Sequence, residues 1–567
     1  MPPTSIVLGR TQEDRGWCAV FLDEAENEQG RERIPDDELS GRVASWEERW
    51  SPRWIVRHLR EVYPALLASG VRLRRAHDLL LCHVILQDTA ALPVPLLGSP
   101  SWRRAEPVDT ESVRPVLFAW NDGAEGQDGI EELLAERRRQ VAALERAPDS
   151  RLRLLCAAES TGALVAEEMT AAGLPWSTDV HREILVRALG SRPMPGSRPP
   201  RMAELAAKVG ELLGDTGVNP DSPPRLLRAL RRAGILVEST SRWELAEIEH
   251  PAVAPLLAYK KLARLFTANG WTWLDEWVRD GRFRPIYLTG GVVTGRWASS
   301  GGGALQIPRS LRPAVRADEG WLLVCADVAQ LEPRVLAAMA RDREMATAAQ
   351  GSDLYAGIVR SGVVATREEA KYAVLGAMYG ATTGDSGRLA PRLRSVFPAA
   401  MALVDEAART GEEGGAVSTL LGRSSPRPDQ SWIAAQARAS DPDAGGAEER
   451  KARSSARDRG RFTRNFVVQG TAAEWSLLWL AEIRHRLSAL PPAAAPAPRS
   501  GPIFSRRAHL AFFLHDEVIV HCPAELADEV ADVVQDAAAA ATHRLFPGFE
   551  IDVPLDLRIA RDAGKTS

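Results

Sequence analysis

Two aspartates stand where apolar runs give way to polar chemistry. Asp327 lies near the end of WLLVCADV (321–328), and Asp516 at the polar tip of HLAFFLHDEVIVHCP (509–523). A carboxylate at a strand end projects from a rigid element. Two that converge can hold a pair of divalent cations about 3.5–4 Å apart, the arrangement for in-line phosphoryl displacement. Spacing alone equally allows two ordinary strand-end carboxylates. A second constellation lies on REEAKYAVLGAMYGA (367–381), where Arg367, Lys371, Leu375 and Tyr379 recur at steps of four and share one helical face. Two cations a turn apart suit a triphosphate, with a phenol further along beside a base. The same pattern also describes a solvated Arg/Lys edge above a packed Leu/Tyr stripe. The lysine is informative because only 6 of the 71 basic residues are lysines.

These side chains need elements to hold them. The run 321–328 predicts a buried strand, 367–381 a helix, and 509–523 a hairpin presenting His515, Asp516 and Glu517, followed by a helix over 524–543 and a last strand. Residues 1–150 read as a modest α/β domain whose short apolar segments are Cys18–Leu22, Leu79–Leu86 and Val116–Trp120, closed by a charged helix, IEELLAERRRQVAALERA. From 151 the texture becomes long amphipathic helices, one of them started by the cap-like segment Asn219–Ser222. A Gly-rich stretch (289–309) breaks that pattern. Residues 424–449 read as loop or partly disordered chain, 451–464 as a run of six basic residues and one acid, and PPAAAPAP (491–498) as a linker. The net charge of −4 excludes a uniformly basic coat for nucleic acid but allows a local basic cleft. Five scattered cysteines indicate neither zinc nor a disulfide framework. With no signal peptide and no long apolar run, a cytoplasmic protein is expected, and the arginine-rich composition suggests a bacterial source.

The segments DVAQLEPRVLAAMARD (327–342), R-x3-K-x7-YG (367–380) and LHDEV (514–518) follow one another as motifs A, B and C of the family A DNA polymerases, which they resemble. TGRWASS (294–300) with ALQIPR (304–309), and Arg461, Asn465 and QGTAA (469–473), are similar to two further elements of that family. The resemblance covers about 150–560. It implies a multidomain α/β and α+β chain. An RNase H-like exonuclease domain in degenerate form (1–150) would precede a polymerase domain (151–567), with a mostly helical thumb at about 185–285 and fingers at about 341–464. An antiparallel palm sheet would come from about 286–340 and 465–567. It further implies a monomeric, nucleoid-associated enzyme without membrane contact, acting on primer-template DNA and dNTPs with two Mg²⁺ ions, Mn²⁺ being an alternative.

By the same resemblance, Asp327, Asp516 and the backbone carbonyl of Val328 are the metal ligands. Arg367 and Lys371 grip the triphosphate, and Lys371 protonates the leaving group. Glu332 blocks a ribose 2′-hydroxyl, and Tyr379 sits under the templating pair. Arg296, Asn465, Gln469 and His515 read minor-groove acceptors. Arg461 follows backbone phosphates or is merely part of a solvated basic loop. Gln330 either satisfies the strand end or supports the motif A turn, and Glu517 lies beside the metals. Three residues depart from the pattern: Leu375 replaces an aromatic that packs on the sugar, Tyr355 a histidine, and Pro333 a leucine. They predict lower activity or altered nucleotide selectivity more than loss of polymerase chemistry. In the N-terminal domain, the family's exonuclease needs D-x-E on its first strand, a central Asp and Tyr-x3-Asp. Here the central place falls near Val62, the lone early tyrosine, Tyr63, precedes Leu67 by four, and Asp23, Glu24 and Glu26 form only a weak cluster. Proofreading is therefore not expected. The alternatives are a weak or inactive DNA-binding relative, and an enzyme that retains 3′–5′ exonuclease activity. A single-subunit RNA polymerase is disfavoured by Glu332 and QGTAA.

Overall fold

The computed structural model describes residues 2–11, 16–99, 102, 129–303, 307–380, 384–441 and 445–564. The N-terminal region runs β1 (Ser5–Arg10), β2 (Gly16–Leu22), β3 (Glu28–Pro35), α1 (Leu39–Trp50), β4 (Arg53–Val56), α2 (Leu59–Ala68), β5 (Arg75–Asp78), α3 (Leu79–Asp88), α4 (Ile130–Glu145) and α5 (Arg151–Ala172). Its five strands form one mixed sheet in the order β3-β2-β1-β4-β5, antiparallel from β1 to β3 and parallel from β1 through β5. The central β1 is buried over five successive residues, as expected for a strand covered on both faces. Its Gly9 admits helix α4: a Cβ there would lie 2.7 Å from Leu133 Cδ1. His77 and Asp78 end β5. The Asp78 carboxylate accepts from Leu81 N at 3.0 Å and caps α3, so Leu79–Leu86 is helical. Val116–Trp120 lies outside the described residues.

Next come β6 (Leu174–Pro175), α6 (Thr178–Leu189), α7 (Pro200–Leu212), α8 (Pro223–Arg232), α9 (Arg242–Ala246), α10 (Val253–Asn269), α11 (Trp271–Trp277), β7 (Val278–Arg279) and β8 (Arg282–Phe283). Ser222 and Pro223 open α8 at the expected place, with Pro at the helical start where its missing N–H costs nothing. The three short strands make a small antiparallel sheet, and Trp176, Trp273 and Phe283 pack together beside it.

The remainder comprises β9 (Tyr287–Leu288), β10 (Ala298–Ser299), β11 (Trp321–Val328), α12 (Leu331–Ala340), α13 (Arg343–Ala348), α14 (Leu354–Arg360), α15 (Arg367–Tyr379), α16 (Gly384–Val396), α17 (Pro398–Glu412), α18 (Gln430–Ala439), α19 (Gly446–Leu487), α20 (Gly501–Phe504), β12 (His509–Leu514), β13 (Glu517–Pro523), α21 (Ala527–Leu545) and β14 (Leu555–Ala560). Four strands form an antiparallel sheet, β12-β13-β11-β14, with β11 central and almost wholly buried. Four expectations are corrected. The stretch 424–449 contains α18 and the start of α19, and the basic run 451–464 is helix, not loop. Glu517 opens β13 and so is not part of the hairpin tip. The alanine-proline tract packs down through Ala493 and Ala497, 3% and 1% exposed, so it is no free tether. Helix α19 spans 42 residues. Residues 470–480 of it are buried on every side, with Trp475 and Trp479 fully so, whereas its first half is basic and mostly exposed.

The chain divides into two compact units. One comprises Met1–Ala172, Ile286–Ser300 and Gly320–Ala560, so the N-terminal sheet and the β11 sheet share a unit. The other comprises Gly173–Pro285, Gly301–Glu319 and Arg561–Ser567. No helix of the described residues is long and apolar enough to cross a membrane.

Candidate active site

The two aspartates meet through the sheet. Asp327 is the penultimate residue of β11, and Asp516 sits in the turn between β12 and β13. That turn is tight: His515 takes a left-handed conformation (φ 57°), and Asp516 N donates to Leu514 O at 2.7 Å. Val328 N donates to Asp516 O at 2.9 Å, locking the turn to the end of β11, and Ser476 of α19 donates to His515 O at 3.0 Å. Burial, and then the neighbouring Asp327 carboxylate, push the Asp516 carboxyl up to about 7. In register, Asp327 lies opposite Glu517 of β13 and Asp556 of β14. Among the described residues, however, no group of three or more His, Cys, Asp or Glu side chains is gathered to hold a metal ion. The oxygen donors present are two adjoining carboxylates and strand-end carbonyls. That set fits a hard cation that keeps water and substrate oxygens in its remaining positions.

A cavity of about 170 Å³ opens beside the pair, lined by Arg296, Gln330, Glu332, Tyr355, Leu375, His515 and Asp516 among others. Its floor is Trp297 against Phe513, edge to face at 4.9 Å. Glu332 is held from two sides, by an ion pair with Arg296 and by the Tyr379 hydroxyl, which donates at 2.7 Å. Burial, together with this carboxylate, raises the Tyr379 pKa. His515 is kept neutral, its pKa lowered by burial and then by Arg296. Gln330, in a left-handed conformation, accepts from Leu354 N of α14 at 3.1 Å, so its amide ties the turn after β11 to the next helices.

Helix α15 forms as expected because a capping box joins Thr366 and Glu369 at its start, while Gly380 (φ 73°) ends it in the left-handed region that favours glycine. Arg367 pairs with Asp353 at 2.6 Å and lies 5.6 Å over the Tyr355 ring. Lys371 is exposed and makes no ion pair or hydrogen bond among the described residues. Leu375 reaches the cavity. On α19, Gln469 accepts from Thr294 at 3.2 Å, Asn465 is half-buried with its amide unbonded among the described residues, and Arg461 pairs with Asp458. Thus eight sequence-singled residues line one cavity, Pro333 among them. Arg367, Lys371, Tyr379, Asn465, Gln469 and Arg461 stand on the two helices around it. Of the ALQIPR segment, Ala304, Leu305 and Gln306 lie outside the described residues.

Sequence reasoning missed two supports. Arg334 is fully buried, and its guanidinium donates to the carbonyls of Ala329 (2.8 Å), Asp552 (2.8 Å) and Gly351 (3.0 Å), while burial lowers its pKa to about 10. It thereby fixes the loops beyond β11. Glu474, also buried, accepts from the Thr419 hydroxyl and from Leu421 N at 3.0 Å, and a second buried pair, Arg423 with Glu159 at 2.7 Å, lies nearby. An arginine and a glutamate at inward helical positions were the only sequence signals.

Comparison with known proteins agrees with this geometry. The profile of DNA polymerase family A matches residues 199–564. DNA polymerase I of Chloroflexus aurantiacus is 27% identical over 360 residues, 58% of this chain and 34% of that protein. The thermostable DNA polymerase I of Thermus filiformis is 26% identical over 341 residues, 55% of this chain and 36% of that protein. The chain therefore spans about a third of the length of these relatives. Among solved structures, the POL domain of Pol1 from M. smegmatis, in complex with DNA primer-template and dNTP, shares the fold. Its TM-score is 0.68 at 18% identity, over 99% of this chain and 95% of that one. With the profile match spanning more than half of its residues, the chain belongs to DNA polymerase family A.

Proposed function

We propose that the chain is a template-directed DNA polymerase that adds deoxynucleotides to a primer 3′-hydroxyl in DNA replication or repair synthesis, without effective proofreading. The observation that carries this reading is the Asp327–Asp516 pair at adjoining strand ends. Burial, and then the neighbouring Asp327 carboxylate, raise the Asp516 pKa to about 7, a state that bound positive charge would relieve. Asp327, Asp516 and the Val328 carbonyl would hold two Mg²⁺ or Mn²⁺ ions, which lower the pKa of the attacking hydroxyl and neutralise charge on the departing pyrophosphate. Lys371, exposed on α15, meets the triphosphate as a compact charge and returns a proton to the leaving group, and Arg367 swings from Asp353 to join it. Glu332, clamped by Arg296 and Tyr379, occupies the sugar edge of the cavity and excludes a 2′-hydroxyl. Arg296, Asn465, Gln469 and His515 contact the minor groove, and Arg461 the phosphates. Gln330 acts by supporting the turn after β11.

In this reading the thumb occupies about 185–285 and the fingers about 341–464, with the palm at about 286–340 and 465–567; residues 1–150 form a degenerate exonuclease-like domain. The mixed five-stranded sheet supports that assignment, and the absence of any carboxylate from β1 supports the loss of nuclease chemistry. A monomeric bacterial cytoplasmic enzyme is the corresponding expectation. Primer extension by the purified chain with Mg²⁺, offered dNTPs or rNTPs, tests the reading: extension with dNTPs alone is expected, and no extension with either would sink it.

A further inference from the structure

The N-terminal sheet carries an unbalanced charge at the end away from Gly9. Ser5, Arg53 and Arg75 are register partners across β1, β4 and β5, so their side chains leave the same face of the sheet. Helix α4 covers that face, because Val7 and Ile55, two residues further along β1 and β4, are buried with its Leu133 and Leu134. Arg137 stands one turn after Leu133, and its guanidinium donates to Glu26 at 3.0 Å. Glu26 belongs to the β2–β3 turn, which follows Leu22, the register partner of Ser5. Three guanidinium groups, from β4, β5 and α4, are therefore brought to one end of the sheet.

Their partners are unequal. Arg137 is paired with Glu26. Arg75, exposed, donates to the Ser51 carbonyl at 2.6 Å and makes no ion pair among the described residues. Arg53 is half-buried and makes neither an ion pair nor a side-chain hydrogen bond among the described residues. Burial, and then Arg75 and Arg137, disfavour its charge and lower its pKa. A cation so placed is stabilised by an anion brought in beside the exposed Arg75. The class of anion follows from the donors. Each guanidinium is a planar fork that can give two parallel hydrogen bonds. A carboxylate has two oxygens in one plane and is filled by one fork, whereas the tetrahedral oxygens of a phosphate accept from several directions. We propose that Arg53, Arg75 and Arg137 form a phosphate-binding site, for free phosphate or for a phosphodiester of a nucleic-acid strand. It lies on a different sheet from the Asp327 and Asp516 carboxylates.

Calorimetric titration of the full chain at low salt tests the site, with inorganic phosphate and a single-stranded oligothymidylate as separate probes. Arg53→Met keeps the half-buried stem and removes the charge, and is expected to weaken phosphate binding at least about 10-fold. Arg75→Gln, at an exposed position, is expected to weaken it about 3- to 10-fold and decides by the same criterion should Arg53→Met fail to fold. Lys371→Ala, on α15, should bind phosphate at this site as the wild type does. If oligothymidylate also loses affinity in the two arginine variants, the ligand is a strand phosphodiester; if inorganic phosphate alone does, it is the free anion. Equal affinities in the wild type and both arginine variants, no saturable binding of either probe, or acetate bound as tightly as phosphate would overturn the proposal. None of these readouts requires the chain to extend a primer.

Discussion

Strands β1 and β11 hold the same place in their sheets and differ in what they carry. Each is central and buried, β1 between β2 and β4, β11 between β13 and β14. The β11 sheet brings Asp327 near Asp516, whose carboxyl is pushed up to about 7 by burial and then by Asp327, against the opposing charge of Arg296. On β1 the residues are SIVLGR, and its end is closed by Leu133 and Ile130 packing on Gly9. Two of the nearby carboxylates are spent internally. Asp23 accepts from Ala25 N, Asn27 N and Gln29 within its own turn, and Glu26 pairs with Arg137. Hydrogen bonds to Asn27 lead in holding Asp23 below the usual carboxylate range. Carboxylates bonded within their own turn are structural, whereas two brought together at strand ends are, in the proposed reading, the place for an ion.

The largest expected effect comes from removing that second arrangement. Asp327→Asn or Asp516→Asn should slow primer extension by more than about 1,000-fold. The thermal midpoint should hold or rise, because a like-charge repulsion is lost. A large fall in the midpoint would recast the pair as structural. The next effect addresses why β1's domain persists. Glu168 of α5 is buried with the Tyr63 hydroxyl at 2.7 Å, Arg72 at 2.9 Å and Arg484 of α19 at 2.6 Å, and Arg484 also donates to Arg74 O at 2.9 Å. These bonds tie the N-terminal sheet to the helix that carries Asn465 and Gln469. Burial alone would raise the Glu168 pKa, but Arg484 and then Arg72 outweigh it and hold it at about 2. Its stabilisation is therefore present above pH 4.5 and fades as pH falls toward 2. Arg484→Met, which strands a buried carboxylate, should cost about 3–5 kcal/mol in denaturant unfolding at neutral pH. A loss below about 1 kcal/mol would make the domain a passenger.

Much of this was legible in the chain. The apolar runs 321–328 and 509–523 are strands because few alternatives bury so many β-branched and aromatic side chains, and Thr366, Glu369 and Gly380 spell out both ends of α15. What escaped were long-range closures. Nothing local announces that Arg334 collects carbonyls from three loops, or that Arg484 meets Glu168, 316 residues away. The polar stretch 424–449 misled because α18 buries none of its residues, so it lacks the apolar periodicity that marks a helix.

A smaller effect concerns pH. Glu474 is buried and raised to about 7, chiefly by burial; Thr419, Leu421 N and Arg423 oppose the shift and Glu159 adds to it. A carboxyl raised in the folded state binds more protons there than when unfolded, so its contribution is fully present below about 4.5 and is lost as pH rises from there through about 7. Glu474→Gln should flatten the dependence of stability on pH between 4.5 and 7, and an unaltered profile would refute the assignment. The smallest expected effect is none: Asp23→Asn should leave 3′-end degradation at the background of the wild type.

The contrast between the two strands reduces to one measurement. A 3′-labelled and a 5′-labelled primer-template are incubated with the full chain and Mg²⁺, with and without dNTPs, beside Asp327→Asn. The account predicts extension that requires dNTPs and is abolished in the variant, with no shortening of the primer in any tube. Shortening of the primer by the wild type without dNTPs, or extension that survives Asp327→Asn, would contradict it.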